Sequence, residues 1–495
     1  MKNIVIAVMV LLSSFSASTQ QRGDIVSFDF LQEYSADSFT VELQQFFNVP
    51  ASFLGIEYDF KVYRVAYYTE DVNADSITIA TSLVTIPTNY PCSELGIMVF
   101  GHGLCLKDWE VPSNNQPNNA YSIITKGIAA NGFIGAAPDY IHMGPFSSPG
   151  PQAFIHSRTQ ATAYIDLMRA VRIYCADNNI ALSGQIFLSG YSQGGNATMG
   201  SAKMIQEEYA GEFTVTAACA GGGSFDLSGI CADSLSSINR TTPERHSLPL
   251  VVRSLTFAYE DSLQAWNTGI SLQNVLDTIF KSPFKAFLPN LLDRTNTFAD
   301  ISVLDSIPAR MLIDSFLFPF QSDPNHFFRR ILADNNVYDW TPQMPLVIFH
   351  SDVDIENPYE NALFTLERFQ QNGAPEVSLF TVNGLSHPVA GQPYVLYALG
   401  YMREKRVDCV SLNVKEQKFD ITQLSIYPNP TASVVNIEAS EPCNISILDA
   451  SLKTIYTEKM VANTSVNVSG FVKGTYLVAA ETQNGNKVFK LLILQ

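Results

Sequence analysis

Positive charge is scarce in this chain. Its 495 residues hold 30 Lys and Arg against 47 Asp and Glu, a formal net charge of -17. That balance argues against nucleic acid as a main partner and gives no attraction to an anionic membrane surface. Long hydrophobic runs are equally few. The one unbroken run, Ile4 to Leu12, is too short to span a bilayer comfortably, and no later stretch looks membrane-spanning. Cysteines number seven, and none of their spacings resembles a zinc site. Histidines also number seven, so candidates for a catalytic base are limited.

What is present begins with an export signal. Lys2 precedes the apolar run, and Ser13 to Gln20 supplies small residues for cleavage. Residues 1–19 read as a signal peptide, with cleavage expected between Ala17 and Gln20. No cysteine sits there, which argues against a lipid anchor. Export permits disulfides. Cys92 with Cys105 and Cys219 with Cys231 are the local pairs to test, although spacing does not fix connectivity and buried thiols remain an alternative. The length admits one to three domains.

The chain is organised around Gly190-Tyr191-Ser192-Gln193-Gly194, a G-x-S-x-G. Gln185 to Leu188 before it reads as a buried strand, and Asn196 to Glu208 after it as a helix. A sharp turn between strand and helix would lift Ser192 Oγ above a sheet and free the Gln193 N–H to face a developing oxyanion. Glycines at 190 and 194 let the strand and helix approach at that turn.

Ser38 to Phe47 is a candidate helix. Glu57 to Tyr68 and Ser76 to Ile86 read as a β-hairpin. Leu95 to Phe100 is a buried-strand run leading into Gly101-His102-Gly103-Leu104, a loop suited to a second oxyanion donor, Leu104 N–H. His102 is expected to brace that loop. A helix over Ala120 to Asn131 and a strand ending at Pro138-Asp139-Tyr140 follow, with a structural role expected for Asp139. The loop from Gly144 to Pro151 is a candidate substrate entrance. Ser157 is a candidate N-cap for a helix whose apolar face holds Tyr164, Leu167, Met168, Val171, Tyr174 and Cys175. This alternation predicts a parallel sheet wrapped by helices.

Phe213 to Ala220 is the next strand and Leu346 to Phe349 the one after. The long aromatic and proline-broken interval between them reads as a helical cap over the sheet, giving an apolar, water-poor cleft. Most individual aromatics there are expected to pack against one another. Asp352, Asp354 and Glu356 follow the second strand. A helix over Tyr359 to Gln371 and a strand over Val377 to Phe380 precede a loop carrying His387, and a helix over Val389 to Arg406 closes the unit.

Serine needs a base, and the base needs a carboxylate to fix its tautomer. Only His387 lies both after the acid loop and on a post-strand loop. The order Ser…Asp…His is that of an α/β-hydrolase. Spacing does not separate Asp352 from Asp354 as the acid, and Glu356 is a third candidate.

The chain resembles the secretory lipase type of α/β-hydrolase over about residues 50 to 405. The resemblance rests on Gly190 to Gly195, on Gly101 to Leu104, on Ala137 to Tyr140 and on the stretch from Asp339 to Pro358. The family's acid pattern, roughly H-G-x-x-D-x-x-V-P, places its acid on Asp354 and its proline on Pro358. Ser351 stands for its glycine and Asn357 for its valine; these departures bear on substrate rather than mechanism. The family's histidine falls on His387. The resemblance implies Ser192, Asp354 and His387 as catalytic residues, Gln193 and Leu104 at the oxyanion hole, ester or lipid substrates, and no metal or organic cofactor.

From Leu424 onward the sequence changes character. Short β-rich segments at 434–437, 444–448, 453–456, 464–468, 474–480 and 487–494 suggest a small β-sandwich. Tyr427-Pro428-Asn429-Pro430, Ile445 to Ala450, Gly474 to Val478 and the final Lys-to-Leu-Ile run resemble the type A sorting domain of Bacteroidetes type IX secretion. That implies the type IX machinery as a partner, export across the outer membrane, and release or surface attachment. The expected organisation is a signal peptide at 1–19, an α/β-hydrolase domain at 20–409 with its cap at 225–343, a linker at 410–423 and the β-sandwich at 424–495. The expected activity is a secreted serine esterase or lipase. A serine peptidase on the same triad and a catalytically silent surface-binding protein are the alternatives.

Overall fold

The computed structural model describes residues 20–47, 55–74, 76–294, 298–407, 424–449, 453–483 and 487–494. The expected signal peptide and linker, and Cys409, lie outside the described residues. Nine strands form one sheet: β1 (Ile25–Tyr34), β2 (Phe60–Glu70), β3 (Ile77–Pro87), β4 (Glu94–Gly101), β5 (Ile134–Pro138), β6 (Ala181–Tyr191), β7 (Val215–Gly221), β8 (Leu346–Ser351) and β9 (Val377–Val382). Their order is β1-β2-β3-β5-β4-β6-β7-β8-β9. Pairings from β1 through β3 to β5 are antiparallel. All those beyond β5 are parallel. Apolar runs build the parallel part because helices cover both of its faces.

Alternation along each strand divides the core. Ile97, Val99, Ile186 and Leu188 face one side, where Tyr164, Leu167, Met168 and Val171 of the helix Ser157–Asp177 pack. Met98, Phe100 and Phe187 face the other, against Ile123 and Ile128 of the helix Ala120–Ala130 and against Tyr394, Ala398 and Met402 of the helix His387–Lys405. Strand β1 is absent from the sequence reading. It lies at the sheet edge with register shifts at Ile25/Ser27 and Phe30/Gln32, which break the period of two that marks a strand.

Ser157 is not the N-cap; His156 is, and Ser157 opens the helix. Asn335 from the cap completes the end instead: its Oδ1 accepts from Ser157 N at 2.8 Å, and its carbonyl accepts the Ser157 hydroxyl at 2.8 Å.

The cap fills the interval between β7 and β8 with short helices around its own apolar core, including Leu255, Phe280, Phe316, Phe320 and Phe328. Phe316, Phe320 and Phe328 make ring contacts with one another. These rings are satisfied inside the cap, and the cleft beneath it is largely apolar, as expected, with Leu104, Phe154, Ile155 and Leu235 on its walls. The cap presents Arg240, Thr242, Glu244 and Ser247 there beside Leu227 and Val251.

Neither local cysteine pair forms. Cys105, Cys219 and Cys231 are buried free thiols, whereas Cys92 is in a disulfide with another residue. Cys219 lies in the core under the sheet and Cys231 in the cap core, so their Cβ atoms have no common approach.

The C-terminal region is a small antiparallel β-sandwich of β10 (Leu424–Tyr427), β11 (Val434–Leu448), β12 (Thr454–Asn467), β13 (Gly474–Thr482) and β14 (Lys487–Leu494). Four of the expected short strands are halves of β11 and β12. The β11–β12 ladder shifts register between Glu438 and Cys443, and each half then serves a different neighbour: β10 on one side, β13 on the other. Val435, Ile437, Ile445, Ile447, Val478 and Leu492 form its core.

Candidate active site

Ser192 follows β6 and precedes the helix Gln193–Glu208, at φ 60 and ψ -119. Such a backbone costs a non-glycine residue about 1–3 kcal/mol and persists only where its surroundings enforce it. They do so by close contact. A Cβ on Gly194 would sit 1.9 Å from Gly101 O, and one on Gly190 would sit 2.3 Å from Gly194 O. Ser192 N donates to Gly221 O at 2.8 Å, tying the turn to β7. The buried Tyr394 hydroxyl accepts from Gly190 N at 2.7 Å and donates to Cys219 O at 2.6 Å. Nothing in the sequence marks Tyr394, since a tyrosine on an apolar helix face gives no sign of that bridge.

His387 Nε2 lies 2.8 Å from Ser192 Oγ, and its Nδ1 lies 2.6 Å from Asp354 Oδ2. With Nδ1 protonated toward the carboxylate, Nε2 is free to accept the serine hydrogen. His387 is not on the loop, as expected, but is the first residue of the closing helix. Pro388 favours that first turn, where its missing N–H costs nothing. The Tyr191 hydroxyl donates to His387 O at 2.7 Å, a second positioning contact that the sequence did not reveal.

Asp354 is held on both sides. Its Oδ1 accepts from Glu356 N and Asn357 N, each at 2.9 Å. His350 Nε2 donates to Asn357 O at 2.9 Å and lies 3.5 Å from Asp354 Oδ2. The two residues that depart from the family pattern brace the same loop. The Ser351 hydroxyl donates to Leu385 O, and Asn357 Nδ2 donates to Gly222 O at 2.7 Å. Asp352 points elsewhere, exposed, and accepts from Gly384 N at 2.7 Å.

Burial pushes Asp354 upward, but its hydrogen bond to His387 and that residue's charge outweigh it and hold the carboxyl below its ordinary value. Burial likewise depresses His387. The Asp354 bond and charge, with Glu356 and Glu244 behind them, reverse this and leave His387 raised. Glu356 is pushed up to about 8 by burial and by the neighbouring Glu244.

Leu104 and Gln193 line the same cleft as Ser192. Among the described residues their backbone N–H groups have no acceptor in the chain. The Gln193 N–H also opens a helix, where the macrodipole favours negative charge. His102 is buried and braces the loop after β4: its Nδ1 donates to Gly103 O at 2.6 Å, and its ring packs on Tyr140. Burial lowers it to about 4, so it is neutral. Asp139 is buried as well, accepting from Ser113 N at 3.0 Å and from the Thr81 hydroxyl. The loop from Gly144 to Pro151 does not line this cleft; Phe154 and Ile155 just beyond it do.

The core is that of an α/β-hydrolase, and the three side chains are arranged consistently with a Ser-His-Asp triad and with a carboxylic-ester hydrolase. The secretory lipase family model matches residues 119–238, and the secretion system C-terminal sorting domain model matches residues 425–495, so both domains are present in the chain. Together they support secretion or cell-surface localisation. No helix among the described residues is long and apolar enough to cross a membrane. A search of curated proteins finds no match. Among solved structures, the ligand-bound rice cell wall degrading esterase LipA from Xanthomonas oryzae is similar at 23% identity and TM-score 0.68. That alignment covers 78% of this chain and 100% of the esterase. Candida antarctica lipase A is similar at 16% identity and TM-score 0.55, with coverage of 78% and 82%. At these identities the likeness shows the fold.

Proposed function

We propose that this protein is an exported serine hydrolase that cleaves carboxylic esters through an acyl-enzyme. The observation that carries the reading is the buried relay Asp354–His387–Ser192, at 2.6 and 2.8 Å, ending on a strained serine at a cleft. Ser192 Oγ attacks the ester carbonyl as His387 Nε2 takes its proton. Asp354 fixes the tautomer and stabilises the imidazolium. The N–H groups of Gln193 and Leu104 hold the oxyanion. His387 then protonates the leaving alkoxide, and water resolves the acyl-enzyme by the reverse route. Residues 1–19 act as the export signal, and residues 424–495 direct passage through the type IX machinery, joined to the hydrolase by the segment 410–423.

The cleft has a cavity volume of ≈ 70 Å³. Pockets that enclose a whole ligand run to roughly 300–1,000 Å³. Short acyl groups are therefore the expected substrates. The test is hydrolysis of p-nitrophenyl esters from acetate to palmitate, with an aminoacyl-anilide panel beside them. Acetate and butyrate are expected to exceed the long-chain esters by about tenfold or more in kcat/KM, since forcing extra methylenes into a filled pocket costs about 1–3 kcal/mol. Anilide cleavage without ester turnover would replace this reading with a peptidase.

The base works only when neutral, and His387 is raised. Activity is therefore lost as pH falls through a value above the ordinary imidazole pKa of about 6.5. A kcat/KM profile whose acid limb has its midpoint well below that value would contradict the assigned environment of His387.

A further inference from the structure

Two carboxylates beside the relay take no part in the mechanism. Glu356 lies two residues past Asp354, and its side chain is only 4% exposed. Its Oε2 lies 3.8 Å from His387 Nε2, beyond hydrogen-bond range, and takes no N–H or hydroxyl donor; a proton shared with Glu244 is what the carboxyl has instead. Glu244, from the cap, meets it on the same cleft wall. Its Oε2 accepts from the Ser247 hydroxyl at 3.1 Å.

Among the described residues, no Lys or Arg forms a salt bridge with either acid. The one arginine on the wall, Arg240, donates instead to Ile355 O, from Nη2 at 2.9 Å and from Nε at 3.3 Å. Other charged or titratable groups that feel the pair are Asp354, His387, His246, Tyr191 and Tyr121. Buried carboxylates without a cation are costly, and a buried oxygen without a donor more so. Without ligand, a retained proton lessens the repulsion between the two acids.

We propose that Glu244 and Glu356 form a subsite for a protonated amine, and that the preferred substrates carry an ammonium group on the leaving-group side of the scissile bond. The inference rests on the ester-hydrolase reading of Ser192. The ligand class follows from the donor set. Two carboxylate groups and an orphan acceptor want N–H donors and positive charge together, and an ammonium supplies both. The side of the bond follows from position. Nε2 delivers the proton to the leaving oxygen, and the orphan oxygen lies within 3.8 Å of that nitrogen.

The experiment compares 2-(dimethylamino)ethyl butyrate, protonated at pH 7.5, with its neutral isostere 3-methylbutyl butyrate. Butyrate release by the full-length mature protein is measured. Wild type is expected to favour the cationic ester by about tenfold or more in kcat/KM, the scale of a hydrogen bond to a charged group. Glu356→Gln and Glu244→Gln are each expected to bring the ratio toward one. Glu244 is on the cap and reaches His387 only through its charge, with no hydrogen bond or ion pair to it, so its variant stands if the Glu356 variant folds poorly. Hydrolysis of p-nitrophenyl butyrate in the same samples monitors the triad. A ratio at or below one in a wild type that turns over p-nitrophenyl butyrate would overturn the subsite alone. So would a tenfold ratio that survives both substitutions. Loss of all three activities in the wild type would overturn the ester-hydrolase reading and the subsite with it.

Discussion

Ser192→Ala is expected to lower kcat for p-nitrophenyl butyrate by about 10⁴- to 10⁶-fold, leaving only what the oxyanion donors and binding supply. The size follows from the route: without Oγ there is no acyl-enzyme, and His387 would have to activate water in a site shaped around a serine. Stability is expected to change little, because alanine inherits the same φ of 60. Ser192→Gly should lose activity equally yet gain stability by up to about 1–3 kcal/mol, since glycine adopts that φ without strain. Denaturant midpoints of the three proteins, taken beside the kinetics, check both statements. Activity of Ser192→Ala within tenfold of wild type would remove Ser192 as the nucleophile.

Asp354→Asn is expected to cost about 10⁴-fold in kcat, with the fold retained. The geometry explains why so conservative a change does so much. Asp354 Oδ1 accepts two backbone N–H groups, from Glu356 and Asn357. An asparagine keeps its oxygen on those donors and turns its NH₂ toward His387 Nδ1. That nitrogen must then accept, so the imidazole proton moves to Nε2, the atom that has to receive the serine hydrogen. Asp352→Asn is the contrast. It retains an acceptor for Gly384 N in an exposed turn and is expected to stay within about twofold of wild type. The two variants, compared in one assay, choose between the candidate acids; the reverse ranking would assign Asp352.

Much of this site is legible in the chain because its parts are local. The serine turn is announced by an apolar strand, two glycines and a helix within one short stretch. The acid loop and the histidine each follow a strand of similar type. His387 passes from its expected loop into the helix because the helix starts two residues earlier than expected, with Pro388 in its first turn. Beyond that reach the local signals are lost for physical reasons. Register shifts hide β1 from any test of alternation, and a bulge hides the continuity of β11 and β12. The cap's aromatics pack against one another as expected, but nothing local marks Arg240, Thr242 and Glu244 as the polar residues that reach the cleft.

The sequence by itself determined the order of nucleophile, acid and base, the strand-and-helix alternation that places each at the end of a strand, and the β-rich C-terminal unit. Those are matters of periodicity and turn chemistry, which neighbouring residues carry. The tertiary structure alone decided that Tyr394 bridges β6 and β7, that Cys219 and Cys231 lie in separate cores, and that Glu244 of the cap meets Glu356 beside His387. Each is a contact between residues far apart along the chain. Its existence depends on how layers pack, a quantity that no single stretch of sequence contains.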